Sequence, residues 1–156
     1  MGRWRAVGPG EALSGAPTIA RFDTVMHQDG VVALLAAVFP NPAPHNEPGF
    51  VIAQKLPQKD DLFWMACNPD GRVIGTVLAA YDGNRGWLYC LAVAPESRRE
   101  GVGSALVRHA KQALSELGYQ KLNLQVVQSK DDAVRFYERL GFGAEARVSM
   151  GKRLDS

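Results

Sequence analysis

The 156-residue sequence contains no apolar run close to the roughly 20 residues that a membrane-spanning helix needs. Its N-terminal stretch, MGRWRAVGPGEALSGAPT, carries early arginines but no continuous apolar segment, so it does not resemble a secretory signal peptide. Glycine and proline recur there, which predicts a loosely ordered leader over residues 1–17 and a single domain over residues 18–156. We therefore expect a cytoplasmic protein without a membrane partner.

The sequence also lacks a strong charge bias, because 18 basic and 16 acidic residues leave a formal net charge of +2. No basic run of the kind that binds nucleic acid is present, so we expect no nucleic-acid partner. The two cysteines, Cys67 and Cys90, stand in separate apolar segments without metal-ligand spacing, which favours buried free thiols. The three histidines are scattered, and we expect no bound metal.

Short apolar runs alternate with segments of helical periodicity along the domain. Strands are predicted over residues 18–22, 62–68, 72–81, 87–93, 121–127 and 142–154, and helices over 23–39, from 48, over 102–117 and over 131–141. Glycine-containing turns join the second, third and fourth strands, which predicts antiparallel pairing. The strand–helix–strand unit over 87–127 predicts one parallel pair. The predicted fold class is α/β (mixed α+β), with a mixed, mostly antiparallel sheet of about six strands and about four helices.

The segment APESRREGVGSALVRHA, residues 94–110, joins the fourth predicted strand to an amphipathic helix. The first N–H groups of a helix have no intrahelical partners, and the helix dipole adds partial positive charge there. Gly101 and Gly103 leave this backbone open to a ligand, while Arg98 and Arg99 add positive charge beside it. These features together predict an anion site, most naturally for phosphate.

Three classes of phosphate-binding loop compete for this pattern. A Walker A loop needs a lysine that is missing here, and a dinucleotide fingerprint needs a third glycine where Leu106 stands. The third class fits, because RREGVG (98–103) resembles the Arg/Gln-x-x-Gly-x-Gly/Ala element of the GNAT acetyltransferase superfamily. SKDDAVRFYERLGF (129–142) resembles the family's second signature, and the resemblance extends over residues 18–154. GTVLAAYDGNRG and MGKRL are further similar to small bacterial YpeA-like acetyltransferases.

This resemblance implies an N-acetyltransferase that uses acetyl-CoA as co-substrate and transfers the acetyl group to a primary amine of a small molecule or protein. The amine would attack the thioester directly. Tyr137 matches the family's tyrosine that protonates the leaving thiolate. The cofactor-binding residues implied by the resemblance are Leu91, Ala92, Val93, Arg98, Arg99, Glu100, Gly101, Val102, Gly103, Ser104 and Lys130.

Some positions depart from the family pattern and leave alternatives open. Many relatives carry a glutamate base early on the fourth strand, whereas here Tyr89, Asp82 and Glu47 are the alternatives for this role. Lys130 replaces a cofactor-contacting asparagine, and it could contact a CoA phosphate or simply be solvated. Tyr137 also belongs to an apolar helical stripe, as a core tyrosine would. The rival function is a non-catalytic acyl-CoA-binding regulatory module with the same fold. Under either function we expect a monomer or a homodimer.

Overall fold

The structure, a computed structural model, describes residues 17–155, so the predicted leader lies outside the described residues except for Pro17. The chain divides into two compact units, Met1–Gln125 and Val126–Ser156. The first contains β1 (Thr18–Arg21), α1 (Thr24–Val38), α2 (Pro48–Lys55), β2 (Phe63–Cys67), β3 (Val73–Tyr81), β4 (Gly86–Val93), α3 (Val102–Glu116) and β5 (Leu122–Leu124), and the second contains α4 (Asp131–Arg139). The predicted helices and the first five predicted strands are confirmed, with small shifts at their ends.

The strands of the first unit form one sheet in the order β1-β2-β3-β4-β5. The first three pairs are antiparallel and β4 pairs with β5 in parallel, which confirms the predicted mixed sheet with one parallel pair. The helix α3 forms the crossover between the two parallel strands, because a short hairpin turn can join only antiparallel strands.

Two acidic N-cap residues explain where α1 and α2 begin. The Asp23 carboxylate accepts hydrogen bonds from the backbone N–H groups of Val25 and Met26, both at 2.9 Å. The Glu47 carboxylate accepts from Gly49 at 3.1 Å and from Phe50 at 2.9 Å, and Pro48 occupies the first helical position. Such caps satisfy N–H groups that have no partner inside the helix.

The sheet is covered by α3 on one face and by α1 on the other. Glycines make the close approach of α3 possible, since a Cβ on Gly75 would lie 2.7 Å from Val102 Cγ1 and one on Gly86 would lie 2.7 Å from Leu114 Cδ1. On the opposite face, a Cβ on Gly30 of α1 would lie 2.8 Å from Val73 Cγ2. The core of this unit therefore lies in two layers, one on each side of the sheet.

The second unit contains α4 and a C-terminal segment without helix or strand. The predicted sixth strand over residues 142–154 is wrong, because the structure describes no strand there. Apolar residues stand at every second position from Phe142 to Met150, but Val148 is 87% exposed and Met150 is 90% exposed. A strand forms only where another strand satisfies its N–H and C=O groups, and an alternating pattern cannot supply that partner.

Candidate active site

The strand β4 has different neighbours along its length. Residues 86–88 pair in parallel with β5, whereas from Tyr89 onward β4 pairs only with β3 among the described residues. The edge of β4 on the β5 side is therefore open along residues 91–93, the three apolar residues that the family resemblance assigned to the cofactor. An open strand edge presents unpaired backbone N–H and C=O groups.

A β-bulge lies where β4 leaves β5. Two residues of β4, Cys90 and Leu91, stand opposite the single residue Val77 of β3. Cys90 has a left-handed backbone conformation with a φ of 52°. Since a bulge bends the strand that carries it and increases its twist, it explains why β4 separates from β5 after Leu88.

The loop after β4 leads into a helix start that no side chain caps. Residues Pro95–Ser97 form a short 3-10 turn, and two left-handed residues follow, Arg99 with φ 64° and Gly101 with φ 84°. Gly101 precedes α3 and makes no side-chain cap. The N–H groups of residues 102–104 therefore have no helical partner, and they carry the positive end of the helix dipole.

These features bring most of the predicted cofactor-binding residues together. Residues 91–93 form the open strand edge, and residues 98–104 form the loop and the helix start that follow it directly. Arg98 and Arg99 are exposed beside the start of α3, whereas Val102 and Gly103, in the first turn of this helix, are buried. The arrangement can bind an anion at the helix N-terminus and an extended arm along the strand.

The structure also shows a buried cluster that the sequence did not reveal. Lys55, the last residue of α2, is only 3% exposed, and its Nζ lies 2.8 Å from Asp60 Oδ2 and 6.0 Å from the ring centroid of Tyr89. Burial, followed by the charges of Cys90 and Asp60, raises the pKa of Tyr89 to about 12. A lysine ending an amphipathic helix normally reaches solvent, so nothing in the local pattern indicated this cluster.

Two of the three alternatives for the base are engaged in local structure. The carboxylate of Glu47 caps α2, as described above. The Asp82 carboxylate accepts hydrogen bonds from the Trp87 indole at 3.0 Å and from the backbone N–H groups of Arg85 and Asn84, both at 2.9 Å. These bonds, led by the one from Trp87, lower the pKa of Asp82 to about 2, which makes it a weak base. Tyr89 at pKa about 12 keeps its proton at neutral pH.

Two predicted site residues, Tyr137 and Lys130, belong to the second unit. Tyr137 lies on α4, and its ring contacts those of Phe136 and Phe142 at centroid distances of 5.1 and 5.6 Å. Burial raises the pKa of Tyr137 to about 12. Lys130 precedes α4 and is exposed, and its carbonyl accepts from the N–H of Val134 at 3.1 Å.

No helix among residues 17–155 is long and apolar enough to cross a membrane.

The profile of the Acetyltransferase (GNAT) family matches residues 29–142. An acetyltransferase of Yersinia pestis (strain Pestoides F) is 35% identical over 111 residues, which cover 71% of this chain and 78% of that protein.

Solved structures share the same fold. Ard1 from Thermoplasma volcanium has a TM-score of 0.69 at 24% identity, covering 83% of this chain and 84% of that chain. AAC(6')-Iy in complex with the bisubstrate analogue CoA-S-monomethyl-acetylneamine has a TM-score of 0.71 at 16% identity, covering 88% of this chain and 97% of that chain. Since the family profile spans the strand, the loop and the helix of the candidate site, this chain belongs to the GNAT acetyltransferase family and is an acyltransferase.

Proposed function

We propose that the protein transfers an acetyl group from acetyl-CoA to a primary amine by direct attack of the amine on the thioester. The observation that carries this proposal is the open edge of β4 beside the uncapped start of α3. Acetyl-CoA has the matching chemistry, because a pyrophosphate and a long amide-containing arm stand next to each other in one molecule.

The pyrophosphate is proposed to bind at the start of α3. The N–H groups of residues 102–104 supply donors, and the absent side chain of the exposed Gly101 lets phosphate oxygens approach the backbone. Arg98 and Arg99 supply positive charge from the exposed rim. A helix N-terminus and an arginine each favour an anion, and here the two are adjacent.

The pantetheine arm is proposed to lie along residues 91–93, where its two amides can replace the missing strand neighbour. Strand addition of this kind uses backbone hydrogen bonds and demands little of the side chains. The thioester carbonyl would then lie near a backbone N–H of the same stretch, which can stabilise the oxyanion formed during attack. The complex of AAC(6')-Iy with a CoA-containing analogue supports this choice of co-substrate at the level of the shared fold.

In the proposed reaction, the neutral amine attacks the thioester carbon and a tetrahedral oxyanion forms. Collapse of this intermediate breaks the carbon–sulfur bond, expels the thiolate of CoA and leaves an amide. The amine nitrogen releases one proton to solvent, from which Tyr137 regains the proton that it gives to the thiolate. We assign protonation of the thiolate to Tyr137, which matches the family's tyrosine and is protonated at neutral pH. A carboxylate base is not part of the proposal.

The test is a screen of the purified full chain with acetyl-CoA and amines of several classes: α-amines of amino acids and peptides, lysine ε-amines, polyamines and aminoglycosides. We expect thiol release with at least one class and a product whose mass has increased by one acetyl group. Reactions without amine correct for hydrolysis, and longer acyl-CoAs test the acyl preference. Binding of acetyl-CoA without thiol release for any amine would contradict the proposal and favour a binding module.

A further inference from the structure

The buried ammonium group of Lys55 uses its whole hydrogen-bonding capacity. Its Nζ donates to the backbone carbonyl of Ala79 at 2.5 Å, to Asp60 Oδ2 at 2.8 Å and to Gln58 Oε1 at 3.3 Å. An ammonium has three protons, so these three acceptors satisfy it. The group is therefore held in one place, with one anchor on β3 and two after the end of α2.

The partner Asp60 is also fully engaged. Its Oδ2 binds Lys55, its Oδ1 accepts from the N–H of Leu62 at 3.0 Å, and its side chain is 11% exposed. Removing two charges from water costs about as much as their attraction returns, so a buried ion pair is weak as a source of stability. Such a pair can instead fix the position of a neighbouring group, and the ring of Tyr89 lies 6.0 Å from Lys55 Nζ.

Tyr89 lies at a distinctive point of the sheet. It is the first residue of β4 beyond the part paired with β5, and it directly precedes the bulge residue Cys90. Its side chain is half-buried and faces the Lys55 ammonium. Within residues 17–155, its hydroxyl makes no hydrogen bond. The hydroxyl therefore has unused hydrogen-bonding capacity.

The direction of the bound arm brings the reacting atoms toward Tyr89. If the pyrophosphate binds after the C-terminal end of β4, the arm runs back along residues 91–93 toward the N-terminal end of that strand. Its thioester then lies nearest to the bulge at Cys90, with Tyr89 as the next residue. The acceptor must approach the thioester carbon, and Tyr89 is the first side chain beyond it on the face turned toward Lys55.

We propose that the Tyr89 hydroxyl binds the acceptor amine and that the buried pair Lys55–Asp60 positions the Tyr89 ring for this contact. The inference rests on the proposed function and adds to it the residue that orients the acceptor. Because Tyr89 stays protonated, it acts by hydrogen bonding and does not take the amine proton. Lys55 and Asp60 do not touch the acceptor and are positioning residues.

The first experiment measures steady-state kinetics with the best acceptor from the amine screen. Tyr89→Phe removes one neutral hydrogen bond, so we expect the acceptor KM to rise about 3- to 10-fold with the acetyl-CoA KM unchanged. Tyr81→Phe, on β3, is the matched control and should leave both constants unchanged. An unchanged acceptor KM in Tyr89→Phe would overturn the inference.

The second experiment asks whether the pair acts through Tyr89. The double variant K55M/D60N removes both charges and so leaves no unpaired buried charge. We expect it to raise the acceptor KM in the wild-type background but to have no further effect when Tyr89→Phe is also present. A purely structural pair would raise KM by the same factor in both backgrounds, and that result would overturn the positioning role.

The third experiment does not depend on turnover, so it separates this inference from the proposed function. Absorbance at high pH reports phenolate formation, and subtraction of Tyr89→Phe isolates Tyr89. The negative charge of Asp60 raises the pKa of Tyr89, so the double variant K55M/D60N, which leaves no unpaired buried charge, should shift its titration to lower pH. An unchanged titration would show that the pair does not act on Tyr89. Absence of any amine activity would contradict the proposed function and leave this titration result standing.

Discussion

At the scale of single residues, Tyr137 is the proposed proton donor, but transfer of its proton to a thiolate is energetically uphill. Burial raises its pKa to about 12, so it carries its proton throughout the neutral range. A free thiol has a pKa near 8.5, which makes full transfer from Tyr137 to a thiolate uphill by about 5 kcal/mol. In the proposed reaction, Tyr137 first donates a hydrogen bond to the leaving sulfur, and transfer of its proton requires that bound CoA lowers the pKa of this phenol.

The first prediction concerns Tyr137→Phe. This change keeps the ring that packs against Phe136 and Phe142 and removes only the donor. We expect kcat to fall by roughly 10²- to 10⁴-fold, the usual contribution of a positioned proton donor, with little change in the Kd for acetyl-CoA.

The measurements are turnover with the best amine and calorimetric titration with acetyl-CoA. Tyr119→Phe controls for loss of a hydroxyl elsewhere, because Tyr119 stacks on Tyr81 in the other unit. If kcat does not change in Tyr137→Phe while chemistry is rate-limiting, Tyr137 is a packing residue.

The acidic residues show why single residues are difficult to assign from a sequence. Glu47 and Asp82 were both alternatives for a catalytic base, and both carboxylates instead accept hydrogen bonds from nearby N–H groups. A sequence shows that a carboxylate exists but not which donors its oxygens meet. For Asp82 the decisive donor is the indole of Trp87, five residues away across a turn.

At the scale of elements, the fit between α3 and β3 depends on a missing side chain. A Cβ on Gly75 would lie 2.7 Å from Val102 Cγ1 and 3.0 Å from Leu106 Cδ1. Atoms in a packed interior cannot give way freely, so an added methyl group must push α3 outward. The first turn of α3 is the proposed phosphate site, and Val102 is its first residue.

The second prediction therefore concerns Gly75→Ala. Overpacking of this kind typically costs about 1–3 kcal/mol, so we expect the free energy of unfolding to fall by that amount in urea titrations. The acetyl-CoA Kd should rise as well, because the displaced helix start carries the donors. Gly143→Ala is the matched control, since nothing lies within 4 Å of a Cβ there. Equal stability of the two variants would contradict the packing argument.

At the scale of the whole molecule, binding of acetyl-CoA should stabilise the folded chain. A ligand at 100 times its Kd adds about 2.7 kcal/mol to the free energy of unfolding. For a chain of this size that corresponds to a rise in Tm of roughly 5–10 °C. The third prediction is a rise of this size in thermal unfolding with saturating acetyl-CoA.

The arginines beside α3 provide the matched comparison for that measurement. The double variant R98Q/R99Q should lower the shift and its dependence on salt, because screening weakens exposed charge interactions. Arg108→Gln removes one exposed charge further along the same helix and should leave the shift unchanged. No shift with wild-type protein at millimolar acetyl-CoA would contradict the proposed co-substrate.

The sequence by itself determined most elements and was enough to predict the proposed anion-binding segment. Strand alternation, helical periodicity and the glycines of residues 98–104 all act within a few residues of where they stand. Signals of this kind are local, so they are legible without knowledge of the fold. The parallel pair was also predictable, because its crossover rule depends only on the order of the elements.

Only the tertiary structure decided which segments pair with β4 and pack against it along its length. The bulge at Cys90, the open edge beyond it and the burial of Lys55 against Asp60 and Tyr89 depend on partners distant in sequence. The same reason explains the error over residues 142–154, where an alternating pattern did not become a strand. Pairing and burial are properties of two segments at once, and a pattern within one segment describes only half of each contact.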